Sequence, residues 1–260
     1  MMTDMQMDIL LNSDERIDDL QCSGYRLIQN TACFCFGMDA VLLSSFAAAK
    51  SGERVLDLCT GNGVIPILMH GKNEGIKCAG IEIQPTSAEL AKRNVAINSL
   101  ENDFEMVQGD VREAVNIFGA SAFNVVTANP PYMNENHGIV NPDSAKAIAR
   151  HELLCTLEDV VKAASDCLKV KGHFYMVHRP QRLVQIFEEM RRYKLEPKRM
   201  RLVHPYADAN ANMVLIEAVK CGNSQLIVEP PLVVYNADGS YTRELLSMYG
   251  RNDGETQYIH

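Results

Sequence analysis

The sequence predicts an α/β fold built on a mostly parallel sheet with helices on both faces. Three observations carry this. From Arg54 onward, short apolar segments alternate with stretches of helical spacing. Glycine or proline turns close the apolar segments, as in Gly61-Asn-Gly63 and Asn129-Pro-Pro-Tyr132. The chain has 260 residues, enough for one or two domains and a large buried core.

In order along the chain, residues 1–20 carry six acids against one base and read as a mobile or loosely packed arm. Gly24 to Phe36 reads as a short hairpin, and Met38 to Lys50 has helical spacing. Val55-Leu-Asp-Leu58 is a short apolar strand, followed by glycines and a helix through Met69. Lys77 to Ile83 is a strand, and Pro85 to Asn98 a helix opened by proline in its first turn. Phe104 to Val107 is a strand, Val111 to Phe118 a short helix, and Phe123 to Ala128 a strand. Asp143 to Leu168 is mostly helical. Gly172 to His178 is a strand, Gln181 to Tyr193 a helix, and Arg199 to His204 and Met213 to Lys220 two more strands. The expected organisation is an arm, hairpin and helix over 1–50, a central domain over 51–225, and a tail over 226–260. In such sheets ligands bind at the carboxyl ends of the strands, where every motif below falls.

Composition sets the outer limits. Apolar residues make up 47% and charged residues 22%, which excludes a disordered chain. No apolar run reaches membrane-span length, and the acidic N-terminus lacks the basic start of a secretion signal. Eight cysteines without a CxxC pair suggest reduced thiols in a cytoplasmic protein. None of the seven histidines makes a ligand pair, so no metal is expected. His178 and His204 lie at strand ends, where they could touch a substrate. The net charge of −8 argues, as an average, against a polyanionic partner.

Four motifs carry chemistry. Asp57-Leu-Cys59-Thr-Gly61-Asn-Gly63 follows a strand and opens a helix, and its glycines let backbone approach a ligand. A dinucleotide fingerprint would place a third glycine where Pro66 stands, and Asp57 would face a pyrophosphate. Both favour a ligand without phosphates and with positive charge, as in S-adenosylmethionine (SAM). Glu82 ends the second strand, about 20 residues beyond Gly61, where a carboxylate can accept from ribose hydroxyls. Asp110, in Gln108-Gly-Asp110-Val111, can accept from an adenine amino group while the next N–H meets a ring nitrogen; a helix N-cap is the compatible structural role. Asn129-Pro130-Pro131-Tyr132 is the most specific signal. Its prolines remove two donors and leave carbonyls for a cleft. A substrate NH₂ could donate to the Asn129 amide oxygen and the Pro130 carbonyl, with Tyr132 as a stacking face. Orientation at attack distance would then supply the rate.

These motifs, in this order over about residues 36–178, resemble class I SAM-dependent methyltransferases of the amino-methylating type. Phe36-Gly-Met-Asp39, Ala147-Ile-Ala-Arg150-His-Glu152, Val177-His-Arg179-Pro180 and Asn212-Met-Val-Leu-Ile-Glu217 narrow the resemblance. They look like the bacterial family that methylates N6 of the adenine 3′ of the anticodon in a valine tRNA. The tail from Pro230 to Glu244 resembles Gram-positive-type members. The resemblance implies a Rossmann-like fold with a seven-stranded sheet and direct methyl transfer. It places the cofactor on Asp39, Asp57, Gly61, Gly63, Glu82, Asp110 and Val111; Cys59, a departure within the first motif but small and apolar, joins the candidate cofactor residues with Ile83 and Asn129. Catalysis would fall on Asn129, Pro130, Pro131 and Tyr132. The RNA would meet Tyr132, Lys146, Arg150, Arg179 and Arg182. S-adenosylhomocysteine would be the product, tRNA the partner, and no metal would take part.

Between Lys169 and Arg201 stand ten basic residues against three acids, a candidate phosphate-binding segment inside an acidic chain. Met133 to Asp143, rich in Asn, Gly and Pro, is a candidate lid. Protein glutamine N5-methyltransferases of the release-factor type share the Asn-Pro-Pro-Tyr motif, but usually carry a longer helical N-terminal domain. Other rRNA or DNA amino-methyltransferases and a non-catalytic SAM- or RNA-binding module are further alternatives. Asp57 and Pro66 disfavour a nicotinamide oxidoreductase.

Overall fold

The computed structural model describes residues 11–31, 37–130 and 155–250. Strands β1 (Glu15–Asp19) and β2 (Arg26–Asn30) form an antiparallel hairpin, followed by α1 (Met38–Phe46). Next come β3 (Arg54–Leu58), α2 (Val64–Lys72), β4 (Lys77–Glu82), α3 (Pro85–Ile97) and β5 (Phe104–Gln108). A 3₁₀ turn (Val111–Glu113), α4 (Ala114–Phe118) and β6 (Phe123–Ala128) complete the first half. The second half holds α5 (Leu157–Cys167), β7 (Leu168–His178), α6 (Leu183–Arg192), β8 (Leu195–His204) and β9 (Met213–Lys220). Two-residue strands β10 (Ile227–Val228) and β11 (Leu232–Val233) and helix α7 (Arg243–Met248) follow.

The main sheet runs β10-β8-β9-β7-β6-β3-β4-β5, with β11 also on β8. Strands β5, β4, β3, β6 and β7 are mutually parallel, while β9 runs antiparallel between β7 and β8. The seven long strands match the expected count, and two short ones extend one edge beyond it. Because β9 reverses direction twice over, β8 points the same way as β7. The carboxyl ends of β3, β4, β5, β6, β7 and β8 therefore share one edge.

Strand alternation sends side chains into two cores. Val55, Val125, Tyr175, Val177, Val203 and Leu215 pack with α1, α2, α3 and α7 on one face. Leu56, Leu58, Val126, Ala128, Met176 and Ile216 pack with α4, α5 and α6 on the other. Burial on both faces explains why these strands read as continuous apolar runs. Helix α5 starts on a capping box: Asp159 N–H donates to Thr156 Oγ1 at 3.2 Å, and Thr156 N–H to Asp159 Oδ2 at 2.9 Å.

Three expectations need correction. Residues 15–19 are not part of a loose arm but the first strand of the hairpin, whose second strand is 26–30 rather than the 24–36 segment as a whole. The polar side chains of β1 hid it, since its stability comes from partners remote in sequence. Glu15 accepts from Arg93 on α3 through two bonds of 2.7 and 2.9 Å, and this pairing pulls its carboxyl down to about 2. β7 begins at Leu168, not Gly172, so the preceding helix ends at Cys167. β8 begins at Leu195, four residues before Arg199, with a bulge between Pro197 and Arg199.

Two asparagines complete the attachment of the hairpin. Asn94 and Asn98 lie one turn apart on α3 and its cap, so their amides share a face. Ile28 N–H donates to Asn94 Oδ1 at 2.6 Å, and Asn94 Nδ2 donates to Ile28 O at 3.1 Å. Arg26 N–H donates to Asn98 Oδ1 at 2.8 Å, and Asn98 Nδ2 returns to Arg26 O at 2.7 Å. The side-chain amides thus satisfy the free edge of β2 as a neighbouring strand would. No helix among the described residues is long and apolar enough to cross a membrane.

Candidate active site

The site forms at the shared carboxyl edge. Asp57 near the end of β3 is fully buried, and Oδ1 accepts from Thr127 Oγ1 of β6 at 2.6 Å. Its Oδ2 is buried without a hydrogen-bond partner. Burial pushes the carboxyl up to about 7; the Thr127 and Thr60 hydroxyls oppose this, and the charge of Glu82 adds to it. An orphaned carboxylate oxygen at the floor of a glycine turn is an acceptor waiting for a cationic or protonated donor.

The turn above it is tightly wound. Cys59, Gly61 and Gly63 have φ of 57°, 57° and 83°, a left-handed geometry at alternate residues. A Cβ on Gly61 would meet nothing within 4 Å, so the space over its backbone is open to a ligand. A Cβ on Gly63 would stand 3.4 Å from Ala91 of α3, so this glycine serves helix packing. Contact with the Cys155 thiol and burial hold the Cys59 thiol well above its usual range, so it stays protonated.

Glu82 ties the turn to the next strand. Gly61 N–H donates to its Oε2 at 3.0 Å, and Gln84 N–H donates to its Oε1 at 2.9 Å. Each oxygen keeps a further lone pair for a hydroxyl. Ile83 follows, half-buried at the same edge. Asp110 caps the 3₁₀ turn by accepting from Arg112 N–H at 2.9 Å; the Arg112 guanidinium, and to a lesser degree this N–H, hold its carboxyl below the usual range. The capping role is therefore filled, and Val111 beside it is buried.

Asn129 follows β6 directly. Its Nδ2 donates to Asp39 Oδ2 of α1 at 2.9 Å. A carboxylate oxygen accepts, so this contact fixes which end of the amide faces Asp39 and turns Asn129 Oδ1 the other way. The Asp39 carboxyl is itself placed, since Ala40 N–H donates to its Oδ1 at 3.0 Å. A Cβ on residue 37 would lie 2.8 Å from that oxygen, which is why glycine precedes this helix. Pro130 is buried beside Asn129. Pro131, Tyr132, Lys146, Arg150 and the candidate lid 133–143 lie outside the described residues.

The structure thus gathers Asp39, Asp57, Gly61, Glu82 and Asn129 on one edge. Residues that sequence reasoning missed support them. Thr127 orients Asp57. Asn94 reaches past the hairpin and donates to Asn62 O in the glycine turn at 3.0 Å. A polar residue at 0% exposure within a helix was the available signal, but burial is not legible before folding.

The basic segment divides. Lys169, Lys171, Arg191, Arg192 and Lys194 lie at the amino edge of the sheet, away from the site, and Lys198, mid-sheet on β8, donates from its ammonium to Asn223 O just past β9. Arg199 pairs with Glu217 at 2.6 Å and Glu229 at 3.0 Å, and Arg201 with Glu244 at 2.8 Å. Arg179 and Arg182 remain at the site edge. Arg179 Nη1 donates to Asn212 O at 2.8 Å, beside β9. Arg182 lines a pocket with Thr156, Glu158 and Glu189, toward α5 and α6 rather than α1. His178 is buried and accepts from Arg179 N–H at 2.8 Å on Nδ1, and burial lowers it to about 4. It is a buried group at the strand end, and its place there does not expose it to substrate. His204 spends its Nδ1 on Ala209 O at 2.7 Å.

The model of the family described as "Methyltransferase small domain" matches residues 37–194. A "tRNA1(Val) (adenine(37)-N6)-methyltransferase" of Porphyromonas gingivalis is 26% identical over 231 residues, 85% of this chain and 89% of that protein. A protein of the same description from Bacteroides thetaiotaomicron is 31% identical over 144 residues, 54% of this chain and 58% of that one. The crystal structure of a predicted O-methyltransferase from Agrobacterium tumefaciens superposes with a TM-score of 0.66 at 21% identity, covering 82% of this chain and 98% of that one. At that identity the last likeness concerns the fold.

Proposed function

Since this chain belongs to the methyltransferase small domain family and is a SAM-dependent methyltransferase, we propose that its substrate is the N6 amine of an adenine in the anticodon loop of a tRNA, 3′ of the anticodon. The observation that carries this is the Asp39–Asn129 contact, which leaves Asn129 Oδ1 as the free acceptor of that amide, with the Pro130 carbonyl as the second acceptor in this reading. A planar NH₂ has two hydrogens to give and a lone pair perpendicular to them. Those two acceptors take the hydrogens and fix the lone-pair direction. The likeness to two proteins described as tRNA adenine-N6-methyltransferases supports adenine over other planar amines.

The residues present fit the cofactor. Asp57 Oδ2 is an unsatisfied buried acceptor suited to an ammonium, and Glu82 retains lone pairs for ribose hydroxyls. Gly61 leaves its backbone uncovered for close approach. When bound, SAM supplies the sulfonium methyl that the reaction transfers. Asp110, Val111 and Ile83 would border the adenine ring. Asn129 and Pro130 do the positioning: as positive charge grows on the attacking nitrogen, their carbonyl oxygens face it. The Asp39 carboxylate behind the amide reinforces that dipole. Tyr132 and Pro131 would complete the pocket, and Lys146, Arg150, Arg179 and Arg182 would meet the phosphates. We place the protein in the cytoplasm, where tRNA resides. The 51–225 segment would be the catalytic unit, with 1–50 and 226–260 as its additions.

Labelled SAM offered in parallel to total tRNA, total rRNA, DNA and a release factor tests this. Mass spectrometry of digested nucleosides should find N6-methyladenosine from tRNA. Label confined to protein would instead establish glutamine methylation.

A further inference from the structure

Three tyrosines form a stack at the site edge that the reaction described above does not use. Tyr241 and Tyr235 lie with ring centroids 5.2 Å apart and planes 23° apart. Tyr206, in the turn after β8, packs tilted against Tyr235, with centroids 5.3 Å apart and planes at 31°. Tyr235 and Tyr241 pack on the core cluster shared with α1, which anchors the inner end. Tyr206 is outside that cluster and 41% exposed, so the outer end of the stack meets solvent.

The topology gives the stack its meaning. Tyr206 follows the carboxyl end of β8, which points the same way as β6 and its Asn129. The helix carrying Asp39 and the tyrosines Tyr235 and Tyr241 belong to the same face of the sheet. From β8 to β6 is three strand spacings, about 14 Å. β8 also runs further out: Met200 is level with Ala128 through β9 and β7, and the strand continues to His204. The stack is therefore too far from Asn129 for the target base and is placed for a neighbouring one. Arg179, bonded to Asn212 O in the loop between β8 and β9, stands at the strand end between the two points.

We propose that Tyr206, backed by Tyr235 and Tyr241, is a stacking platform for an unpaired base that flanks the methylated adenosine in the RNA. A planar base offers a π-face to the open end of the stack whatever its identity, so the platform grips an unpaired loop without reading its sequence. Anchoring by two further rings keeps Tyr206 oriented before RNA arrives. This rests on the proposed RNA substrate, and the test separates the two.

The chain contains no tryptophan, so Tyr206→Trp introduces a single indole as reporter. A hairpin RNA bearing an unpaired adenine-containing loop is titrated in the presence of S-adenosylhomocysteine. Indole fluorescence should be quenched over the same RNA range that saturates methylation. Tyr206→Ala should raise KM for RNA about tenfold, while Tyr206→Trp stays near wild type. For the alanine variant, kcat at saturating RNA and SAM affinity should stay within about twofold, the latter also showing that the variant is folded. An unchanged KM in Tyr206→Ala, or an unquenched indole with bound RNA, overturns the platform alone. A wild-type protein that neither binds nor methylates any RNA overturns the substrate reading and the platform together.

Discussion

The side-chain amide of Asn129 donates to the Asp39 carboxylate at 2.9 Å, joining residues 90 positions apart. One is in the first turn of α1, and the other follows β6. This bond decides the orientation of an amide that could otherwise present either end to a substrate. Asn129→Ala should lower kcat by about two to three orders of magnitude with SAM affinity little changed, because misplacement of about 1 Å already costs about 10²-fold. Asp39→Ala should lower kcat about tenfold or more, and Asp39→Asn should recover much of it, since an amide oxygen still accepts. Steady-state kinetics with calorimetric SAM binding measure both. If Asp39→Ala lost only cofactor affinity, Asp39 would belong to the cofactor and not to Asn129.

Asp57 makes stability depend on pH in an unusual direction. Its folded carboxyl titrates at about 7 against an ordinary value of 3.8. Between those limits the unfolded chain has lost a proton that the folded chain keeps, so rising pH destabilises the cofactor-free protein. The penalty is complete above about pH 7 and amounts to a few kcal/mol. Relative to Asp57→Asn, the wild type should lose stability between pH 5 and pH 8. Urea denaturation at the two pH values checks this. The same variant should bind SAM more weakly at pH 8, because its amide cannot balance an ammonium.

Asn94 satisfies three backbone groups at once, two on Ile28 and one on Asn62. Asn94→Ala leaves them buried and unpaired, at a cost of about 2–4 kcal/mol. Thermal or urea unfolding reads the loss. Hydrogen exchange should rise first in β2 and in the glycine turn, and SAM affinity should fall with it.

The Glu15–Arg93 pair gives the hairpin a second pH dependence of opposite sign. Its arginine partner holds the Glu15 carboxyl at about 2 rather than 4.5. The stabilisation is present above pH 4.5 and is lost as pH falls toward 2. Arg93→Ala should therefore destabilise the protein by about 1 kcal/mol at pH 7 and by less at pH 3.

Glu82→Gln tests the turn. One face of the new amide would be a donor opposite the Gly61 or Gln84 N–H, both of which now donate to the carboxylate. SAM affinity should fall about tenfold to a hundredfold, with kcat at saturating cofactor largely kept. Fluorescence or calorimetric titration of SAM decides it; unchanged affinity would remove Glu82 from the cofactor site.

The sequence by itself determined the alternation of strands and helices, because buried parallel strands must be apolar on both faces and their turns need glycine or proline. It also brought out Asp57, Glu82, Asp110 and Asn129 as candidates, since each ends or follows a strand and all such ends share one edge. Polar pairing across long separations was not legible. β1 is held by Arg93 on α3, β2 by Asn94 and Asn98, and Asn129 by Asp39, each contact existing only once the chain has folded. The basic segment shows the limit most clearly. Ten cations in 33 residues read as one patch along the chain. Strand direction sends Lys169 and Lys171 to the far edge, Asn223 O engages Lys198, and carboxylates neutralise Arg199 and Arg201. Only the tertiary structure decided that Arg179 and Arg182 stand at the carboxyl edge of the sheet, and that Arg201 at the same edge is paired with Glu244. Charge is a property of residues, but an electrostatic surface is a property of their arrangement.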